Sequence, residues 1–169
     1  MSTAIMLSLK PNQVHQLESG ELTLLARKTK PKLQTPFKVI VYQCHSDMKE
    51  WDEKDGTVVG EFICDRIYLI DKDSTDYCFR NPIFQTVDNE FFVYKSEAKE
   101  KYGLDVCMTD EELKQYLCRR VGYGWHITDV KFYGKPQFLS NYCKSAEMGS
   151  WSVKKHVQNP PASWMYVDV

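Results

Sequence analysis

Positively charged side chains are concentrated in one stretch of the sequence, where their chemistry is that of anion binding. Between Lys10 and Lys38 there are six lysine or arginine residues and two carboxylates, whereas positions 47–76 carry ten carboxylates and four basic residues. The formal net charge of the whole chain is −1. A basic segment in a neutral protein favours an anionic ligand such as a phosphate, without indicating adhesion to bulk nucleic acid or to a membrane. A solvated charged loop is the alternative.

The cysteine and histidine residues do not have the spacing of a metal site. The six cysteines stand at positions 44, 64, 78, 107, 118 and 143, no two of them form a C-x-x-C pair, and the four histidines are scattered. Because such pairs are the usual sign of zinc or of a redox centre, the sequence predicts no metal and no cofactor. Without a secretory signal the expected compartment is reducing, so we expect free thiols that fill apolar space.

The length and the composition predict one folded domain. Of the 169 residues, 43% are hydrophobic and 27% are charged, which excludes a mainly disordered chain. No apolar run approaches the roughly 20 residues that span a bilayer, and the N-terminal segment lacks the basic and apolar regions of a signal peptide. We therefore expect a single domain over residues 1–169, located in the cytoplasm and without a membrane partner.

The elements that must position the basic segment are mostly short strands. Apolar runs and alternating patterns predict them, and Gly60 marks a bulge or bend in the longest one. Residues 71–108, in which a helix is indicated over 96–102, and residues 144–158 lack such patterns and are predicted to be insertions or long loops. The predicted strands are 5–9, 23–26, 37–43, 57–70, 123–133 and 163–167.

Two helices are indicated by their first turns. Pro11, followed by Val14 and Leu17, predicts a short amphipathic helix, and Thr109 with Glu112 forms a capping box at the start of a second one. Several strands, few helices and no regular strand–helix alternation favour a small mixed β-barrel over a doubly wound sheet.

One segment resembles a known family signature. Residues 20–27 (GELTLLAR) are similar to the pattern G-x-K-T-[IV]-[ET]-x-R of ASCH domains, which belong to the PUA-like superfamily. Seven further segments, in the same order and covering most of the chain, resemble the phage and prophage ASCH-domain proteins of bacteria. They are 8–11 (SLKP), 27–32 (RKTKPK), 36–39 (PFKV), 56–62 (GTVVGEF), 123–127 (YGWHI), 135–136 (KP) and 160–164 (PPASW).

The resemblance implies an α+β fold, a PUA-like small curved β-barrel with flanking short helices, in which related domains bind RNA or modified nucleosides in a cleft. Some relatives are hydrolases that remove an acyl group from cytidine with the signature lysine and threonine and a separate glutamate. Here those lysine and threonine positions are Leu22 and Leu25. Because leucine neither transfers a proton nor acts as a nucleophile, the resemblance implies binding without catalysis, and no catalytic residue is assigned.

The polar residues that remain in the matching segments are candidate ligand contacts. Arg27 holds the signature arginine position, and its planar fork suits a phosphate or a base edge, with a structural ion pair as the alternative. Lys10, beside the predicted helix start, and Lys28, in the basic loop, add positive charge. Glu61 matches the expected position of the family glutamate, although an ion pair with Arg27 would also explain it.

Two tryptophans and a serine complete the predicted ligand-binding set. Trp125 and Trp164 are candidates for stacking on a base, with core packing as the alternative. Ser163 is either a hydrogen-bonding contact or merely the start of a strand. The full set is Lys10, Arg27, Lys28, Glu61, Trp125, Ser163 and Trp164.

Three functions compete on this sequence. The first is non-catalytic binding of RNA, or of a nucleotide or modified nucleoside, in a cleft around Lys10, Arg27 and Glu61. The second is a nucleic-acid or acyl-nucleoside hydrolase with a rearranged site that uses Glu61, His126 or Lys28. The third is a phage protein that acts in the cytoplasm of a bacterial host by binding a host protein or a defence component.

Overall fold

The computed structural model describes residues 2–45, 52–72, 82–88, 90–145 and 155–169. Within those ranges it contains nine strands, three α-helices and one 3₁₀ helix. They are β1 (Thr3–Leu9), α1 (Pro11–Glu18), β2 (Leu24–Arg27), β3 (Phe37–Gln43), β4 (Thr57–Lys72), β5 (Pro82–Thr86), β6 (Phe92–Tyr94), α2 (Lys95–Tyr102), α3 (Asp110–Tyr116), β7 (Gly122–Gln137), the 3₁₀ helix Leu139–Asn141, β8 (Cys143–Lys144) and β9 (Trp164–Asp168).

The chain forms two compact units, and the two longest strands, β4 and β7, contribute residues to both. The first unit consists of Met1–Glu18, Phe37–Ile63 and Asp129–Val169, and the second of Ser19–Pro36 and Cys64–Thr128. Organisation as a single domain over residues 1–169 stays a prediction. None of the helices in the described part of the chain is long and apolar enough to cross a membrane.

In the first unit, β1 lies between two partner strands. It pairs in parallel with β3, where Ile5 is opposite Val39, and antiparallel with β9, where Leu7 is opposite Trp164. Residues 4–7 have no exposed surface, as expected for a strand covered on both faces, which explains the continuous apolar run in the sequence. The predicted strands 5–9 and 163–167 are therefore confirmed, and they pair with each other.

Gly60 lies where the backbones of β4 and β7 approach each other closely in the first unit. A Cβ atom added there would stand 2.5 Å from the carbonyl oxygen of Lys131. The sequence predicts a bulge or bend at this glycine. The structure gives a packing reason for it, because any larger residue would meet backbone atoms that have no freedom to rotate away.

In the second unit, β2, β4, β5 and β6 contribute buried residues to one hydrophobic core together with the helices α2 and α3. Within the predicted insertion, the helix indicated over 96–102 is present as α2, and residues that carried no strand pattern form β5 and β6. This region supplies core residues such as Phe84 and Leu104, and its origin as an insertion stays a prediction. Residues 73–81 and 89, and 146–154 of the other predicted insertion, lie outside the described residues.

The helix α3 begins as the sequence predicts. The Thr109 hydroxyl accepts a hydrogen bond from the backbone N–H of Glu112 at 3.2 Å, and the Glu112 carboxylate accepts one from the backbone N–H of Thr109 at 2.7 Å. The capping box therefore satisfies two N–H groups at the helix start. Leu113 and Leu117 are buried in the core of the second unit and fix the orientation of the helix.

The described strands form an open, mixed sheet. In the first unit the strand order is β7-β4-β3-β1-β9-β8, and in the second it is β2-β7-β4-β5-β6, so neither path returns to its starting strand. The two-residue strand β8 at one end is paired with β9 alone among these strands. The predicted α+β class with flanking short helices is confirmed, and the sheet formed by the described strands does not close.

We predict that Gly60→Ala destabilises the protein by about 1–3 kcal/mol, the usual cost of forcing extra atoms into a packed site. Gly134→Ala is the matched control, because it also lies in a long strand and a Cβ there would meet nothing within 4 Å. Urea unfolding of the two variants beside the parent measures the difference. Equal stability of the two variants would contradict the packing argument.

Candidate nucleic-acid interface

Arg27 ends β2 in the second unit and is buried, with 6% of its surface exposed. Its Nη1 donates a hydrogen bond to the carbonyl oxygen of Ala26 at 3.0 Å, and Tyr123 stands opposite it on β7. A buried guanidinium needs hydrogen-bond acceptors from the protein itself. This arrangement therefore favours the structural role that the sequence left as the alternative to a ligand contact.

The basic loop that follows Arg27 lies against two tyrosine rings. Lys28 Nζ is 5.3 Å from the centroid of the Tyr116 ring, and Lys30 Nζ is 5.9 Å from that of Tyr123. Both distances lie within the roughly 6 Å over which a ring face attracts a cation. Both lysines are exposed, so their ammonium groups are available to an anion while the rings orient them.

Two exposed arginines follow α3 beside the same loop. Lys28 Nζ is 3.9 Å from Cys118 Sγ, and Arg119 and Arg120 come directly after that cysteine. The chain turns sharply there, with φ of +53° at Cys118 and +59° at Arg119. We define the basic–aromatic surface as the two lysine–tyrosine pairs together with the two exposed arginines that follow Cys118 in the chain. Its members are Lys28, Lys30, Tyr116, Arg119, Arg120 and Tyr123.

The apolar residues of the signature segment are buried in the second unit. Leu22 and Leu25, at the positions of the family's catalytic lysine and threonine, are 3% and 1% exposed. The hydroxyl of Thr23 donates to the carbonyl oxygen of Gly103 at 2.6 Å and accepts from the N–H of Asp105 at 2.8 Å. Thr23, directly before β2, therefore binds the loop after α2 through two hydrogen bonds.

Trp125 lies opposite Leu25 in the pairing of β2 with β7 and has no exposed surface. A base has no accessible ring face on which to stack in this conformation. Core packing, the alternative that the sequence left open, describes the residue.

Glu61 in the first unit has two polar partners that the sequence analysis did not single out. Both of its carboxylate oxygens lie 3.3 Å from Lys38 Nζ, and one accepts a hydrogen bond from the Tyr133 hydroxyl at 2.8 Å. Burial acts to raise the pKa of Glu61, but the hydrogen bonds from Tyr133 and Lys38 outweigh it, and the pKa lies below its usual value. Burial of the Tyr133 hydroxyl and its hydrogen bond to Glu61 raise the pKa of Tyr133.

The other three predicted contacts also belong to the first unit. The carbonyl oxygen of Lys10 accepts the first hydrogen bonds of α1, so this exposed lysine stands at the helix start as predicted. Ser163 is exposed and its carbonyl oxygen accepts a bond from the N–H of Ser8 at 3.1 Å. Trp164 is half-buried and packs edge-on against Tyr166, with 5.4 Å between ring centroids.

A histidine–carboxylate pair joins β7 to β4 in the second unit. His126 Nδ1 lies 2.6 Å from Asp65 Oδ1, and the two side chains are 26% and 42% exposed. The edge of the His126 ring packs against Tyr68, with 6.3 Å between centroids. The sequence singled out His126 but not Asp65, because residues so far apart in the chain leave no spacing signal.

The described cysteines are all free thiols in different surroundings. Cys64 is buried, and this burial raises its pKa to about 12, whereas Cys118 is exposed. The prediction that the thiols fill apolar space therefore holds for Cys64 and is wrong for Cys118, while Cys78 lies outside the described residues. No group of three histidine, cysteine or carboxylate residues in the described ranges is arranged to hold a metal ion.

Comparison with known proteins gives structural matches. No family model and no curated protein sequence matches the chain. The crystal structure of ASCH from Zymomonas mobilis has a TM-score of 0.53 and 12% identity, covering 96% of this chain and 86% of that one. The chain has an ASCH-like fold. A variant of the same protein with one tyrosine replaced by phenylalanine has the same score and identity, with coverages of 96% and 88%.

A third ASCH-like match supports the same conclusion. The variant of the Zymomonas mobilis protein with one serine replaced by alanine gives a TM-score of 0.52 and 12% identity, and the match covers 96% of this chain and 87% of that one. At 12% identity such a likeness establishes the fold alone. The fold that the sequence resemblance implied is therefore confirmed.

We predict that Glu61→Gln lowers stability at neutral pH and that its difference from the parent shrinks on acidification. A carboxylate with a lowered folded pKa contributes stability above its unfolded pKa of about 4.3, and this is lost as the pH falls through the folded value. Urea unfolding between pH 7 and pH 3 measures the difference. Glu100→Gln, on the exposed face of α2, is the control; a pH-independent difference at Glu61 would contradict the prediction.

Proposed function

We propose that this protein binds single-stranded RNA or a nucleotide-like ligand without catalysing a reaction, and that the basic–aromatic surface contacts its phosphates. The observation that carries the proposal is the placement of Lys28 and Lys30 within 5.3 and 5.9 Å of the ring centroids of Tyr116 and Tyr123. This surface combines the two side-chain types by which proteins bind single-stranded nucleic acid, namely cations that contact the backbone and rings on which bases stack.

The aromatic members distinguish this surface from a general anion site. Attraction of phosphate requires only positive charge, which Arg119 and Arg120 also supply at exposed positions. Half-buried tyrosines between such charges add apolar ring surface that inorganic anions do not use, and base stacking on an aromatic ring contributes about 1–3 kcal/mol per base. A single strand with unpaired bases therefore fits the surface better than a free anion or a regular duplex.

The ASCH-like fold supports the same ligand class by analogy, since PUA-like domains are expected to bind RNA or modified nucleosides. Arg27 belongs to one unit and Lys10 and Glu61 to the other, and their joint participation in one cleft stays a prediction. The same holds for contacts by Ser163 and Trp164. The phage or prophage origin, a host-protein partner and a cytoplasmic location also stay predictions.

We predict that the combined variant Lys28→Ala, Arg119→Ala, Arg120→Ala binds single-stranded RNA about tenfold or more weakly, since each side chain offers a charge-assisted bond. The slope of log affinity against log salt should fall by about 2, because each phosphate contact on a single strand contributes about 0.7. Titration of a labelled oligonucleotide at several salt concentrations measures both quantities.

The matched control for this experiment is the combined variant Lys135→Ala, Lys144→Ala, Lys155→Ala, which removes three exposed lysines of the first unit. We expect these changes to leave affinity and slope close to those of the parent. Tyr123→Leu should weaken binding while keeping the slope, because it removes a ring but no charge. Thermal melts confirm that each variant is folded; parental affinity and slope in the combined basic variant would refute the proposed contact.

Hydrolysis is the second candidate function, and the contact between His126 and Asp65 favours it. A carboxylate that accepts a hydrogen bond from a histidine ring orients the imidazole for proton transfer, and both side chains are partly exposed. The apolar side chains of Leu22 and Leu25 argue against hydrolysis of acylcytidine by the family's own residues.

We predict that the purified protein turns over neither single-stranded RNA nor N4-acetylcytidine, as followed by mass spectrometry of the products. The control pair is His126→Ala and His15→Ala, the second being an exposed histidine of α1. Turnover that is lost with His126 and kept with His15 would establish the second candidate and would overturn the non-catalytic proposal.

A further inference from the structure

A groove of about 710 Å³ lies within the second unit. Its lining comes from the loop after β2, from the middle of β4 and from the segment that joins β5 to β6. This volume falls within the range of about 300–1,000 Å³ that is typical of small-molecule sites. The side chains that matter for recognition are Lys30, Arg66, Thr86, Asp88, Glu90 and Phe91.

The groove carries charges of both signs. Lys30 and Arg66 supply cations, while Asp88 and Glu90 supply carboxylates, and the two acidic side chains are exposed. The hydrogen bond from Thr86, the backbone bond at Glu90 and the nearby charge of Arg66 all lower the pKa of Asp88. Its carboxylate is therefore charged at neutral pH and acts only as a hydrogen-bond acceptor.

The acidic segment is braced by its own hydrogen bonds. The N–H of Glu90 donates to Asp88 Oδ1 at 3.2 Å, and the N–H of Phe91 donates to the Thr86 hydroxyl at 3.1 Å. A further bond joins the N–H of Thr86 to the carbonyl oxygen of Phe91 at 3.0 Å. The carboxylates are thus presented on a defined turn at the end of β5.

Phe91 provides an apolar wall to the groove. Its ring packs edge-on against Tyr68 and Tyr102, with centroid separations of 6.0 and 4.9 Å, and one side joins the core of the second unit. The half-buried side chain of Ile67 lines the groove as well. A flat ring system that enters the groove therefore meets apolar surface beside hydrogen-bond acceptors.

We propose that this groove binds one nucleotide whose base carries an exocyclic amino group, with the phosphate at Lys30 and Arg66 and the amino group at Asp88 or Glu90. The guanidinium fork of Arg66 suits phosphate oxygens, and a carboxylate accepts hydrogen bonds from the amino group of cytosine. Uracil differs from cytosine in that it presents a carbonyl oxygen there, which a carboxylate repels.

This inference rests on the proposed function and specifies its ligand. Lys30 lies over Tyr123 in the basic–aromatic surface and also lines the groove, so the two features share a side chain. A strand whose backbone follows the basic–aromatic surface is thereby brought to the groove with one of its nucleotides. A free mononucleotide offers the same chemistry, and the experiment distinguishes the two sources.

The test is calorimetric titration of the full chain with cytidine monophosphate and uridine monophosphate, and with oligocytidine and oligouridine. We expect cytidine monophosphate to bind about tenfold more tightly than the uridine compound, as a good base-edge contact allows. Arg66→Ala should weaken both mononucleotides alike, whereas Asp88→Asn with Glu90→Gln should abolish the preference. Lys135→Ala and Glu100→Gln are the matched charge controls, and thermal melts check that each variant is folded.

The outcomes distinguish nucleotide binding in the groove from RNA binding at the basic–aromatic surface. A preference for cytosine only in the oligonucleotides, lost with the two acidic changes, identifies a strand as the ligand and keeps the inference. Two results would overturn nucleotide recognition by the groove while leaving RNA binding intact. One is equal binding of the two mononucleotides and of the two oligonucleotides, and the other is a preference for cytosine that survives Asp88→Asn with Glu90→Gln. Failure of every RNA and nucleotide to bind removes both the groove and the proposed function.

Discussion

The pairing of β4 with β7 is the interaction on which the other described features depend. Each strand has sixteen residues, β2 pairs with β7, and β3 and β5 pair with β4. Polar contacts join the same two strands in each unit, from Glu61 to Tyr133 in the first and from Asp65 to His126 in the second. Since successive side chains of a strand point to opposite faces, a slip of one residue would break both contacts and expose Trp125.

Local signals in the sequence were sufficient for the long apolar strands and for the helices α1 and α3, but not for the strands β5 and β6. The apolar strand 5–9 and the capping box at Thr109 are patterns within a few residues, and both are present in the structure. The elements β5, β6 and α2 carry weak patterns; in α2 only Ala98 is buried. These elements contact one another and share a core with residues distant in the sequence, such as Leu24 and Leu113, which no local pattern indicates.

In the candidate interface, local sequence patterns likewise located single side chains but not their neighbours in space. The family-like segments 20–27, 27–32 and 123–127 contain Arg27, Lys28 and Tyr123. No local pattern showed that Tyr123 and Tyr116, from elements far along the chain, lie beside the two basic residues. Trp125 and Trp164 looked alike as members of apolar strands, but only the first is fully buried. The pattern of a strand shows that its faces differ and leaves open which face meets the core.

The tyrosine rings under Lys28 and Lys30 also affect the entropy of binding. A free lysine side chain loses up to about 2 kcal/mol of rotamer freedom when it becomes fixed. Lysines that already rest at 5.3 and 5.9 Å from ring centroids have given up part of that freedom on folding. The two lysines therefore lose less side-chain entropy when they bind a phosphate. The rings preorganise the loop for a ligand even where the rings do not contact the ligand.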